Sequence, residues 1–337
     1  MAKDDRGSSV YDYYASRAEL SKESISSLAT CWARRVDDDR SLSRDPRRNG
    51  ATKYQDKIGE QEKLGLPLLV EELRLNRPLR PTIEGWFSLG VDFELERPWF
   101  SRDDNLLHAL DNPVRKDRLF GAPFMAASSW KGLLRWACLQ GHTAEEMKAG
   151  RGKRVSERSP GWVIHLFGND RTEEEEFVRG ALAFRPTWFR PGSDESGTRV
   201  LDFELINPHR RTSSRERKGR GHQNDRNSGG RGRRDRPRTN PITFEVVPVG
   251  ARGSLELLYA PFQRLPERDE KTTFQSLFSA IEKLLTTYGF SARRSSGWGR
   301  AKIRSWWIAG VGGERKLNSL SDCLAELHMV RYHGGEG

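Results

Sequence analysis

Thr82-Ile83-Glu84-Gly85-Trp86-Phe87-Ser88-Leu89-Gly90-Val91-Asp92-Phe93-Glu94-Leu95 is the stretch that decides the fold. Ile83, Phe87, Leu89, Val91, Phe93 and Leu95 alternate with mostly polar or small neighbours. A period of two predicts a long strand with one buried face. A loop with three prolines runs from Arg97 to Met125. Ser128-Ser129 then offers helix N-caps. Trp130, Leu133, Leu134, Ala137 and Cys138 follow at i, i+3, i+4, i+7 and i+8, which predicts an amphipathic helix ending near Gly141.

Further along, Leu182, Phe184, Pro186 and Trp188 alternate around a proline, as an edge strand does. Ile242, Phe244 and Val246, then Leu255, Leu257 and Tyr259, flank Gly250 and Gly253 and predict a hairpin. Thr272 and Gln275 form a capping box. Phe274, Leu277, Phe278, Ile281, Leu284, Leu285 and Tyr288 mark a helix face that Gly289 closes. A last strand spans 300–308. Strand, helix, strand, hairpin, helix, strand is the order of an α+β fold with a ferredoxin-like, RRM-like βαββαβ core. Such a core does not by itself assign a function. Residues 1–80 read as an N-terminal accessory region and 311–337 as a C-terminal tail.

The 337 residues carry a net charge of +11, most of it in one place. Between Arg210 and Asn240 stand eleven Arg and one Lys against two Asp and one Glu, an excess of nine positive charges. With five glycines and almost nothing apolar, this stretch cannot build a core of its own. It suits a solvated loop or an arm that displaces counterions from nucleic-acid phosphates, and the preference for arginine favours the arm. The longest apolar run, 64–70, is broken by Gly65 and Pro67 and is too short for a bilayer. Three scattered cysteines exclude a disulfide framework, and the start does not read as a secretory leader. A cytoplasmic, membrane-free protein of a reducing compartment is expected.

Three segments carry more specific information. The first is Leu110-Asp111-Asn112-Pro113-Val114-Arg115-Lys116-Asp117 with Ala127-Ser128-Ser129-Trp130-Lys131-Gly132-Leu133-Leu134-Arg135. The second is Phe244-Glu245-Val246-Val247-Pro248-Val249-Gly250-Ala251. The third is Gly289-Phe290-Ser291-Ala292-Arg293-Arg294-Ser295-Ser296-Gly297-Trp298-Gly299-Arg300. Over about 82–308 the chain resembles the RAMP superfamily of CRISPR systems, and within it the backbone subunit of type III effector complexes. The resemblance implies a RAMP domain over 81–310, with a thumb-like insertion at about 201–249. It implies a protein that binds guide RNA, assembles with copies of itself and with other effector subunits, and cuts complementary target RNA as an endoribonuclease. A RAMP subunit that caps the complex and only binds guide RNA is the alternative. A nuclease that processes the guide precursor lacks the Asp-x-Pro-Val loop. A general arginine–glycine RNA binder gives no reason for the Ser-Ser-Trp-Lys-Gly segment.

Chemistry assigns parts to these residues. Ser128, Ser129 and Lys131 stand at a helix start, where free N–H groups favour an anion. Lys131 and Arg135 are i, i+4 and share the face away from the apolar side, as a phosphate cradle or as two solvated cations. Gly289, Gly297 and Gly299 with Arg293, Arg294 and Arg300 suit a loop that approaches an RNA backbone closely, more than an ordinary helix cap and turn. By the resemblance, Asn207, His209, Arg210 and Arg211 begin the RNA-binding thumb.

The loop 101–117 is the candidate for chemistry, with Asp103, Asp104, His108, Asp111 and Asp117. RNA is cut by its own 2′-hydroxyl once that group lies in line with the phosphorus, and a carboxylate can take the proton or hold a divalent cation such as Mg2+. The residues alone also allow an Asx turn at Asp111 ahead of Pro113. The resemblance assigns target cutting, with any metal contact, to Asp111. His108 reads as a solvent-exposed loop histidine. Cys138 and His142 have ligand spacing but no second pair, so they predict no metal site.

Overall fold

The computed structural model describes residues 52, 54–56, 58, 79–103, 108, 110–117, 121–140, 159–169, 177–192, 199–207, 241–263, 265 and 267–332. The basic stretch 210–240, Asp104, His142 and nearly all of 1–80 lie outside them.

Strand β1, Phe87–Leu95, is the centre of a five-stranded sheet. It pairs antiparallel with β7, Arg252–Tyr259, from Phe87↔Tyr259 to Glu94↔Arg252. On its other side lies β8, Ala301–Gly310, from Ser88↔Ala309 to Leu95↔Ala301, with a register shift after Asp92. Strand β3, Leu182–Phe184, extends the β7 side, and β9, Gly313–Leu317, extends the β8 side, both antiparallel. The order is β3-β7-β1-β8-β9.

Phe87, Leu89, Val91, Phe93 and Leu95 all point to one side of the sheet and are buried. Helices α1, Ala127–Leu139, and α3, Glu267–Lys283, cover that side. Phe87 meets Phe274 edge-on at 5.1 Å, and Phe93 meets Trp130 at 6.2 Å. Each fully buried side chain of this size contributes roughly 1.5–3 kcal/mol. Helix α4, Leu320–Tyr332, seals one end of the helical layer. Its buried Arg331 donates to Gly85 O and Glu270, with the rings of Phe87, Tyr259, Phe274 and Tyr332 around it. The segment set apart as a tail thus carries a strand and a helix.

Several elements depart from the sequence expectation, each for a local reason. Strand β1 starts at Phe87, and Ile83 is 51% exposed in the turn before it. Its second face is also buried at Ser88 and Gly90, because the Trp307 indole lies across Gly90 from the neighbouring strand. A Cβ at position 90 would fall 1.7 Å from that ring. Helix α1 starts at Ala127 after Ala126 as N-cap, so Ser128 and Ser129 sit in its first turn and cap nothing. Helix α3 starts at Glu267, ahead of the capping box, where Asp269 and Glu270 suit the helix dipole. A short helix α2, Gly161–Phe167, carries no pattern long enough to announce it.

The run Leu182–Trp188 is two strands. Arg185 and Pro186 separate β3 from β4, Thr187–Trp188, which pairs with β2, Phe124–Met125. Nor do 242–246 and 252–259 form a hairpin. Strand β6, Ile242–Val246, pairs with β5, Asp202–Ile206, as a separate two-stranded ribbon. The turn at Gly250, with φ at 85°, redirects the chain. Gly250 N–H then donates to Leu95 O at 2.8 Å, and Leu95 N–H to Ala251 O at 2.8 Å.

Candidate functional site

The pairing register gathers the candidate segments. Leu95 faces Ala301, and Glu94 faces Arg252, so the loops after β1, before β7 and before β8 leave the sheet at the same end. Helix α1 starts there too, because it runs back along the sheet from the loop that follows β1.

At that end the glycine-rich loop is joined to the chain after β1. Gly299 N–H donates to Pro98 O at 2.8 Å, and Ala292 N–H to Phe100 O at 2.9 Å. The Ser291 hydroxyl donates to Phe100 O and accepts from Phe100 N–H, each at 3.0 Å. Ser128, Ser129, Gly132 and Leu133 of α1 face Phe290, Ser291, Ala292 and Arg294 across one open cleft floored by Trp99 and Phe100. The structure therefore brings the first and third sequence segments to one place.

The glycines divide into two kinds. Gly289 and Gly299, with φ at 76° and 75°, are buried, and a Cβ would lie 2.5 Å from Trp298 O and from Ser291 N respectively. Their lack of a side chain lets the loop close on its own backbone. Gly297 is different: a Cβ there meets nothing nearer than the Arg300 guanidinium at 3.7 Å.

The arginines are held by rings. Arg293 lies over Phe244 at 4.9 Å and Trp298 at 5.4 Å, and Arg294 over Trp136 at 4.2 Å. Arg293 Nε, one terminal nitrogen of Arg294 and Arg300 Nε are buried without a hydrogen-bond partner among the described residues. Such donors are costly unless something accepts them. On α1, Trp130, Leu134, Ala137 and Cys138 are buried, while Lys131 is exposed and Arg135 half-buried on the other face.

The Asp111 loop is anchored from both sides. Arg115 N–H donates to Ser101 O at 2.7 Å, and Asp103 N–H to Pro113 O at 3.1 Å. Toward β6, Asn112 Nδ2 donates to Thr243 O at 3.2 Å, and Glu245 N–H to Asn112 O at 3.0 Å. Asp111 is exposed at the edge of this frame. Asp103 accepts from Lys116 N–H at 3.4 Å, and the Asp117 carbonyl closes a turn with Gly121 N–H at 2.8 Å. Asn207 is exposed at the end of β5, whereas His209, Arg210 and Arg211 lie outside the described residues.

His108 is not at the surface. It is 7% exposed, its Nδ1 accepts Leu110 N–H at 3.0 Å, and its ring packs edge-on to Tyr54 at 5.0 Å. Burial, and then the Lys116 charge, pushes its pKa down to about 3, so it stays neutral. The sequence reading missed its surroundings altogether. Glu245 is fully buried and accepts from Tyr54 Oη at 2.6 Å, Val114 N–H at 3.0 Å and the Lys116 ammonium. One signal was present: a glutamate set between the apolar Phe244 and Val246 of a strand.

Among the described residues no His, Cys, Asp and Glu cluster is grouped to hold a metal, and no helix is long and apolar enough to cross a membrane. A family model described as the RAMP superfamily matches residues 92–302. Comparison with curated protein sequences returns no match. Similar solved structures include a chain of the type III-B Cmr-beta complex bound to cognate target RNA. It is 12% identical, with 89% of this chain and 95% of that chain covered and a TM-score of 0.48. Another is a chain of the Csm3-Csm4 subcomplex of the type III-A CRISPR-Cas interference complex. It is 17% identical, with 73% and 96% covered and a TM-score of 0.39.

Proposed function

The chain belongs to the RAMP superfamily, and from that premise we propose that it is an RNA-binding backbone subunit of a type III CRISPR effector complex, holding guide RNA and cutting complementary target RNA. The observation that carries the reading is the shared end of the sheet. There the α1 start, with Ser128 and Ser129, faces the loop that carries Arg293, Arg294 and Arg300, and Lys131 and Arg135 stand on the same helix. Phosphate oxygens are the acceptors that guanidinium and helix-start N–H groups suit best.

We read the sheet as the ferredoxin-like core. Four strands in the order β3-β7-β1-β8, with α1 after the first and α3 before the last, support this. Residues 81–310 would form the RAMP domain and 201–249 the thumb, of which β5 and β6 are the base.

Cutting is assigned to Asp111. The 2′-oxygen of a target nucleotide attacks the adjacent phosphorus as the bond to the 5′-oxygen breaks. The Asp111 carboxylate takes the 2′-hydroxyl proton, and water protonates the leaving 5′-oxygen, giving a 2′,3′-cyclic phosphate and a 5′-hydroxyl end. Asp111 is the residue that would hold a divalent cation, which would supply positive charge to offset the charge developing on the phosphate.

The test is the RNA carried by the purified protein, followed by a cutting assay. RNA of uniform length with a common 5′ end, and cutting of a complementary strand, are the expected results. Heterogeneous cellular RNA would overturn the reading. Uniform guide RNA without cutting would favour a subunit that only binds.

A further inference from the structure

We infer that Tyr54 is a positioning residue for the Asp111 loop: its hydroxyl completes the buried Glu245–Lys116 cluster that holds the loop backbone, tying the N-terminal region to the cutting site. The inference rests on the proposed role of Asp111 and adds to it a residue from outside the 81–310 domain.

Three alternate residues of the loop are held toward β6. Asn112 exchanges hydrogen bonds with Thr243 and Glu245, Val114 N–H donates to Glu245 Oε2, and the Lys116 ammonium lies against the same oxygen. The other carboxylate oxygen, Oε1, takes the Tyr54 hydroxyl at 2.6 Å, and no other donor among the described residues reaches it. Lys116 Nζ also donates to the Tyr54 oxygen at 3.2 Å. Lys116 therefore donates to both Tyr54 and Glu245, and Tyr54 donates to Glu245, so the three side chains close a triangle in which each donor has an acceptor.

Tyr54, Glu245 and Lys116 are 0%, 0% and 4% exposed, so water does not replace a missing member. Burial and the Glu245 charge raise the phenol well above its ordinary pKa, and it remains a donor. His108 fixes the other edge of the phenol ring. A carboxylate that must reach a 2′-hydroxyl within hydrogen-bond distance depends on how firmly its loop is held.

The experiment uses the full chain assembled on guide RNA. Tyr54→Phe keeps the ring and its contact with His108 and removes one oxygen. Amide exchange over 110–117 should speed up, by about tenfold for the loss of one buried hydrogen bond. Single-turnover cutting should fall by about tenfold, short of the 10²-fold that a 1 Å misplacement brings. Target affinity should change less than about twofold, since it is spread over many phosphates.

Unchanged exchange overturns the inference whatever cutting does. Faster exchange with wild-type cutting, or affinity falling in step with the rate, also overturns it. Asp111→Ala runs in parallel. Wild-type cutting by that variant would defeat the Asp111 reading instead, and exchange alone would then decide whether Tyr54 holds the loop.

Discussion

The Lys116 ammonium lies against the Glu245 carboxylate inside the protein, their side chains 2% and 0% exposed, although 129 residues separate them in the chain. Removing one partner leaves a buried charge uncompensated. Lys116→Met should therefore cost about 3–5 kcal/mol of stability. Lys116→Met combined with Glu245→Gln should cost less than the two single losses added together, because it leaves no buried charge. Urea denaturation of the four variants closes the cycle, and additive losses would mean that the two groups do not interact.

The glycine-rich loop makes a prediction that separates its members. Gly299→Ala places a Cβ 2.5 Å from Ser291 N on a backbone with φ at 75°. Its cost should exceed the roughly 1–2 kcal/mol of left-handed backbone alone. Gly297→Asn keeps a left-handed residue where the space is open and should cost less than about 1 kcal/mol. Thermal midpoints of the two variants should differ by several degrees, with Gly299→Ala the lower.

Those glycines show where sequence reading stops. Their positive φ could be guessed, but not which neighbour they approach, because the atoms opposite Gly299 belong to Ser291 on the far limb of the loop. Strand β1 and helix α3 were legible because their apolar residues keep one period and pack against the same core. Strand β6 was legible as a strand and not in its pairing, because β5, its partner, lies across a 35-residue separation from Ile206 to Ile242 that local pattern cannot bridge. The placement of Lys131 and Arg135 follows from helical period alone. The burial of His108 does not, since it is set by Tyr54, 54 residues earlier.

Glu256 predicts a pH dependence. It is 4% exposed, and burial raises its pKa to about 7, although Arg185 at 3.0 Å acts against this. The folded state thus holds a proton that the unfolded chain releases near the ordinary glutamate value. Stability should be fully present below about pH 4.5 and fall as pH rises to about 7, by roughly 1–3 kcal/mol. Glu256→Gln should flatten that slope in denaturation curves at pH 5 and pH 7.5. An equal slope in both proteins would show that Glu256 titrates normally.

Lys131→Ala with Arg135→Ala should weaken RNA binding without unfolding the chain. Trp130, Leu134, Ala137 and Cys138 fill the buried side of α1, so neither substitution opens the core. Each lost phosphate contact on single-stranded RNA should remove about 0.7 from the slope of log affinity against log salt. Affinity measured from low to moderate salt, beside a thermal melt, checks both halves. An unfolded double variant would make these cations structural, and an unchanged slope would place the phosphates elsewhere.

Asp111→Ala should abolish cutting of target RNA by the assembled complex and leave target binding nearly intact. The loop base is fixed by Arg115 N–H donating to Ser101 O, Asn112 Nδ2 donating to Thr243 O and Glu245 N–H donating to Asn112 O, so shortening the side chain leaves the backbone path in place. Pro113 restricts Asn112 to extended conformations and holds the same path. Losing a proton acceptor typically costs about 10²–10⁴ in rate. Binding is shared among many phosphates and base pairs and has no such single dependence. A target with a 2′-deoxy nucleotide at the scissile position should bind and resist cutting, because its attacking oxygen is absent. End-labelled targets, with gel-shift binding in parallel, measure both. Full-rate cutting by Asp111→Ala would move the chemistry to Asp103, Asp104, Asp117 or another subunit. A cut 2′-deoxy target would instead require water as the nucleophile, and the carboxylate would then have to activate that water on the side of the phosphorus opposite the leaving oxygen.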